Sequence, residues 1–237
     1  MSLAQLAALL ADPTRAAFCG ALLDGRAWTA GELARHAGVA PSTASEHLSR
    51  LIAGGLLAEE RQGRHRYVRL AGPAVATLIE DLTAFAGTAA GAAVSGPAPG
   101  NLREATRRSA EARARTCYDH LAGRLGVAVA DAMLDRGLVS ADAGLVLTGD
   151  GRGWLAAQAI DLPPRAGGKG ARPVLRACLD WTERRSHLGG ALGAALCRTA
   201  LERAWVQRIG SGRALRVTPD GDRALRELFG VRMEPCA

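Results

Sequence analysis

The first ninety residues alternate between helical and strand-like spacing of apolar positions. LAQLAALL (residues 3–10) is apolar at helical spacing, and DPTRAAFCGALL follows with Phe18, Leu22 and Leu23 on one face. Asp12 suits an N-cap and Pro13 the first helical position. In TAGELARHAG, Thr29 and Glu32 form a capping-box pattern, Leu33, Ala34 and Ala37 give an apolar face, and Gly38 ends the helix. PSTASEHLSRLIAGG predicts a further helix that turns Leu48, Leu51 and Ile52 inward and Ser42, Thr43, Ser45, Glu46, Ser49 and Arg50 outward. LLAEERQGRHRYVRL then reads as strand, turn at Gly63, strand. GPAVATLIEDLTAFAG returns to helical spacing, with a stripe of Val75, Leu78, Ile79, Leu82 and Phe85.

Two short helices joined by a glycine turn, the second opening on small polar residues, are laid out as a helix-turn-helix, in which small side chains let the second helix enter a major groove. The hairpin behind it carries Arg61, Arg64, His65 and Arg66 at its tip. A basic hairpin in that place is a wing, fit to ride on phosphate or the minor groove. The candidate DNA-contacting residues are therefore Ser42, Thr43, Ser45, Glu46, His47, Arg50, Arg61, Arg64, His65 and Arg66. Cys19, among apolar neighbours, reads as a small buried hydrophobe.

On LADPTRAAFCGALL, TAGELARHAGVAPSTASEHLSRLIAGGLL and ERQGRHRYVRL, residues 5–85 resemble the winged-helix domain of the arsenic-repressor (ArsR) family of bacterial transcription regulators. The resemblance implies a homodimer joined through residues 3–10 and the helix at 72–87, with PSTASEHLSR as recognition helix. Glu46 departs from the Arg, Gln or Asn usual there, which leaves base preference open. The family's metal sites do not carry over: GELARHA has no cysteine, and PAVATLIEDLTAFAG has no histidine to join Glu80 and Asp81.

The rest of the chain contains a repeat. At an offset of 67, His120, Leu121, Gly123, Leu125, Gly126, Ala128, Leu134 and Arg136 recur as His187, Leu188, Gly190, Leu192, Gly193, Ala195, Leu201 and Arg203. At an offset of 70, Thr148, Asp150, Gly151 and Leu155 recur as Thr218, Asp220, Gly221 and Leu225. Each copy predicts helix, hairpin, helix, the tail half of a winged helix. The fold expected is mainly α with short β-hairpins (α+β): a winged helix-turn-helix over 1–88, a Pro- and Gly-broken linker over 89–102, and a domain over 103–237 of two degenerate winged-helix-like repeats at about 117–158 and 178–229. REATRRSAEARARTCYDHL, ahead of the first copy, reads as a basic helix with a solvated charged face.

Composition narrows the function classes. Hydrophobic residues are 48% and charged residues 22% of 237, so the chain is globular, and no long uncharged apolar run or signal peptide is expected. The net charge of +7 falls wholly after residue 90, and suits nucleic acid or an anionic ligand. Five cysteines without a C-x-x-C fit a reducing cytoplasm better than a disulfide framework. No G-x-S-x-G, H-E-x-x-H, P-loop or dinucleotide fingerprint is present, so no enzyme is expected; AGGKGARP (166–173) lacks phosphate-loop spacing.

What duplication leaves unexplained is the chemistry beside each repeated histidine: Cys117, Tyr118, Asp119 and His120 in one copy, and Cys178, Asp180, Trp181, Arg184, Arg185 and His187 in the other. Four readings stay open. The polar groups tie helix ends together, or they line a small-molecule effector pocket with Trp181 and Tyr118 as walls and Arg184 or Arg185 as anion partner. Cys117, His120, Cys178 and His187 also offer a zinc-type ligand set of loose spacing, or Cys117 and Cys178 a thiol switch. The expectation taken forward is a cytoplasmic dimeric repressor on a near-palindromic double-stranded operator, controlled by a small-molecule effector of unknown identity, with no cofactor named, no metal assigned and no membrane partner. A metal- or redox-sensing repressor, or a scaffold that does not bind DNA, are the alternatives.

Overall fold

Local capping chemistry sets the start of the chain. In a computed structural model, which describes residues 1–62, 65–89, 102–141, 144–163, 172–210 and 212–233, Ser2 and Gln5 form a capping box on α1 (Leu3–Leu10). Asp12 caps α2 (Pro13–Ala21), accepting from the Arg15 amide at 2.9 Å. A single 3-10 turn (Leu22–Asp24) leads to β1 (Trp28–Thr29). Thr29 and Glu32 close the expected capping box on α3 (Ala30–Ala37), Glu32 accepting from the Thr29 amide at 2.7 Å. Gly38 turns the chain at φ 68°, a left-handed conformation glycine adopts without strain, and α4 (Pro41–Ala53) follows.

β2 (Leu57–Gln62) and β3 (His65–Leu70) pair antiparallel from Leu57↔Leu70 to Gln62↔His65, and β1 adds to β3 through Trp28↔Val68. Phe18, Leu33, Leu48, Leu51, Val68 and Leu70 are almost fully buried and make the core under this sheet. α5 (Pro73–Ala89) leaves the unit with Ile79 buried but Leu82 and Phe85 exposed. By contact density the chain divides at Glu80/Asp81, inside α5. Gly63, Arg64, the linker's residues 90–101 and the loop's residues 166–171 lie outside the described residues.

The second unit opens on α6 (Leu102–Arg113). Two copies of one element order follow. The first is β4 (Arg115–Cys117), β5 (His120–Ala122), α7 (Gly123–Asp135), β6 (Val139–Ser140), β7 (Val146–Leu147), α8 (Gly149–Ala157). The second is β8 (Arg176–Leu179), β9 (Ser186–Gly189), α9 (Gly190–Glu202), β10 (Val206–Arg208), β11 (Leu215–Val217), α10 (Pro219–Phe229). Each helix–hairpin–helix is thus preceded by another hairpin. This corrects the sequence expectation that one basic helix runs through Cys117–His120: α6 stops at Arg113, and Tyr118 takes φ 54° in a tight turn that pairs Cys117 with His120. Thr148 and Thr218 cap α8 and α10 as expected, accepting from the Gly151 and Gly221 amides at 2.9 Å.

The copies interlock. α7 packs on β9 and α9 on β5, so each helix covers the other copy's hairpin. The repeated glycines make room for this. A Cβ on Gly126 would meet the Leu121 carbonyl oxygen at 2.4 Å and His187 Cβ at 3.5 Å; on Gly193 it would meet Leu188 O at 2.1 Å and His120 Cβ at 3.0 Å. One apolar core, including Leu125, Met133, Leu192, Leu215 and Phe229, runs through both copies.

Candidate functional site

The helix-turn-helix presents its polar face to solvent. Ser42, Thr43, Glu46 and Arg50 on α4 are exposed, Ser45 and His47 half-buried, and Ala44, Leu48 and Leu51 anchor the helix from below. Arg50 Nη2 donates to Glu46 Oε1 at 2.6 Å, so the residue that departs from the family pattern holds the arginine one turn on. On the wing, Arg61 and Arg66 both pair with Glu59, at 2.9 and 2.8 Å. Those arginine contacts hold the Glu59 carboxyl below its usual range. His47 faces inward, with Nδ1 3.3 Å from Arg15 and 3.7 Å from Asp12. Arg15 in turn donates to the Leu9 and Ala8 carbonyls at 2.6 and 2.9 Å and ties off the end of α1. The Arg64 position and the His65 side chain lie outside the described residues.

In the second unit the two motifs from the repeat meet. Cys117 and His120 are partners across β4–β5, and Cys178 and His187 across β8–β9. Two equivalent hairpins therefore each supply one thiol and one imidazole. The ligand atoms of the four side chains all lie within 4.8 Å of one another, and all four residues are buried. The imidazole centroids are 5.0 Å apart, with the rings tilted by 35°.

A carboxylate backs each imidazole. Asp119 lies 3.5 Å from His120 Nδ1 and is gripped by Arg172 at 2.5 and 2.8 Å. Burial raises the Asp119 carboxyl, but Arg172 and His120 more than reverse this and hold it at about 2. Asp180 Oδ2 lies 3.3 Å from His187 Nδ1, close in charge though not aligned as a hydrogen bond. The same carboxylate accepts from Arg115 Nη2 at 2.8 Å, the Gly123 amide at 2.6 Å and the Thr182 hydroxyl at 2.6 Å. Burial pushes its acidity down; His187, Arg115 and Thr182 push it further the other way, well below the usual carboxylate range.

Arg115 belongs to the arginine-rich run that the sequence places on a solvated face, yet its side chain is 0% exposed. The correction has a local cause: the helix ends before it, and the strand turns it inward to Asp180. Its guanidinium stacks on Trp181 at 4.7 Å. Trp181 and Tyr118 are half-buried, whereas Arg184 and Arg185 are exposed, Arg185 pairing with Asp131 at 2.7 Å. A nearby apolar cavity of about 10 Å³, lined by Leu121, Leu125, Leu196 and Phe229 among others, is too small for an organic ligand. Sequence reasoning missed Arg115 and Arg172, which carry no signal of their own within arginine-rich surroundings.

A helix-turn-helix domain model matches residues 10–60. The uncharacterized HTH-type transcriptional regulator YdfF of Bacillus subtilis is 36% identical over 233 residues, 98% of this chain and 99% of its own. The chain belongs to the HTH-type transcriptional regulators. The regulator is also 41% identical over 81 residues to CmtR of Mycobacterium tuberculosis, which spans 34% of this chain and 68% of that one. Among solved structures, the homodimeric winged helix-turn-helix domain of Mb0332 from Mycobacterium bovis shares 31% identity. It covers 35% of this chain and 77% of that one, with a TM-score of 0.34. The likeness to YdfF takes in the C-terminal unit as well as the winged helix.

Proposed function

We propose that the regulator is a cytoplasmic homodimeric repressor whose two α4 helices enter adjacent major grooves of a near-palindromic double-stranded operator, under control of an effector held by the C-terminal unit. The observation that supports it best is the full-length likeness to an HTH-type transcriptional regulator, together with an exposed polar α4 face and a wing bearing Arg61 and Arg66. Exposed Leu82 and Phe85 on α5, and Leu3 on α1, supply the apolar surface that a dimer through these two helices would cover. In this reading the effector is held by Cys117, His120, Cys178 and His187, with Tyr118, Asp119, Asp180 and Trp181 around them; the convergence of two distant motifs there supports it. Exposed Arg184 and Arg185 would stand at its rim. Control requires that the effector bind one dimer geometry better than the other. No catalytic step belongs to this reading, and no single helix among the described residues is long and apolar enough to cross a membrane.

Footprinting on the DNA upstream of the protein's own gene tests it. Two protected half-sites with centres about one helical turn apart are expected. Protection of one isolated half-site, or none with folded protein, refutes it.

A further inference from the structure

We propose that Cys117, His120, Cys178 and His187 form a closed, four-coordinate site for a zinc-type divalent cation where the two repeats of the C-terminal unit meet. The proposal names the ligand class of the site assigned above, and so rests on that assignment.

The donor set comes first. Two thiols and two imidazoles are the ligands of structural zinc sites, and soft sulfur with imidazole selects against magnesium and calcium. Arms of roughly 2.0–2.3 Å in a tetrahedron put donor atoms about 3.3–3.8 Å apart. The four donors already lie within 4.8 Å of one another without an ion present. Side-chain rotations of about 1 Å or less would close the remainder. The sequence spacing looked loose because it was measured along the chain. In the fold, Cys117 and His120 are cross-strand neighbours, as are Cys178 and His187, and the longer second turn at 180–185 merely lengthens the interval.

The surroundings agree. Each imidazole turns Nδ1 toward a carboxylate, Asp119 or Asp180. A proton drawn to Nδ1 by that negative charge would leave Nε2 as the lone-pair atom, as in the carboxylate–histidine–metal arrangement. His187 is 0% exposed and neither of its ring nitrogens has a hydrogen-bond partner; a buried polar atom stranded in this way is costly. An ion would take that lone pair. Charge also balances: two thiolates neutralise a divalent cation, while Asp119 and Asp180 are neutralised separately by Arg172 and Arg115. Four protein donors, all buried, leave no coordination position for water or substrate, so the centre binds and staples and is not catalytic. It joins β4–β5 to β8–β9 and thereby one repeat to the other.

The test uses full-length protein, reduced and handled without oxygen, titrated with cobalt(II) and then zinc. One cobalt per chain is expected, with the strong visible bands of a tetrahedral ion, thiolate charge-transfer bands for two sulfurs, and displacement by zinc. Cys178→Ser and His187→Asn should each weaken zinc binding by more than about 100-fold, beyond what changes in outer-shell partners cost. Cys19→Ala, in the other unit, should leave it intact. The melting temperature should rise with zinc in the wild type and not in Cys178→Ser. The wild-type spectrum decides the matter if a variant fails to fold. Weak octahedral bands, no stoichiometric metal, or a Cys117–Cys178 disulfide forming in protein that takes up no metal would overturn the proposal. Operator binding is measured separately, so failure here is distinguishable from failure of the regulator reading.

Discussion

Replacing Gly193 by alanine sets two opposed effects against each other. Helix propensity alone favours alanine by about 1 kcal/mol. The structure puts the new Cβ 2.1 Å from the Leu188 carbonyl oxygen, 2.8 Å from its carbon and 3.0 Å from His120 Cβ. Two of these are backbone atoms of the strand that feeds α9, so no side-chain rotation relieves the overlap, and α9 has to shift away from β9 and β5. Overpacking of this kind costs about 1–3 kcal/mol and more when backbone must move; taking about 3, the net loss is about 2 kcal/mol. For a unit of this size that lowers the melting temperature by about 4–8 °C. Gly20, in α2, is the control: nothing lies within 4 Å of its Cβ position, so Gly20→Ala should gain up to about 1 kcal/mol. Differential scanning calorimetry of the two variants beside wild type reads both signs. If Gly193→Ala melts at or above the wild-type temperature, the tight interlock of the repeats is wrong.

Other expectations follow from the same contacts. Asp180→Asn removes the counter-charge of buried Arg115 and should cost about 3–5 kcal/mol in urea unfolding, whereas loss of a surface pair costs about 1 or less. Leu82→Asp, on an exposed site that should not disturb the monomer, is expected to turn the dimer into monomer by light scattering. Burial pushes the Cys19 thiol up to about 11 and Cys197 to about 12, so neither should react with iodoacetamide at pH 8 in folded protein. These thiols stay neutral when folded, so their contribution is fully present below the unfolded thiol value near 9 and is lost as pH rises toward 11–12.

The winged helix was legible because its signals are local: the Thr29–Glu32 capping box, Gly38, and the apolar spacing of Leu48 and Leu51 all sit within a few residues of what they determine. The repeat was legible for a related reason, since glycines that must meet backbone, such as Gly126 and Gly193, leave matching phrases. The hairpins before α7 and α9 were not. Strands of three or four residues are too short to show alternation, and the left-handed Tyr118 carries no side-chain signature. Arg115 was hidden in the same way: its partner Asp180 is 65 residues away, and nothing in an arginine-rich run separates the one buried guanidinium from its solvated neighbours.

Fluorescence anisotropy of full-length protein on a duplex from upstream of its own gene, across a salt series, tests the account most directly. Tight binding is predicted, with log affinity falling linearly in log salt. Arg50→Ala should lose about 1–3 kcal/mol, roughly 5- to 150-fold, on that duplex and little on unrelated DNA. Folded dimer that binds no duplex at low salt, or binding in which wild type and Arg50→Ala treat the two duplexes alike, would contradict it.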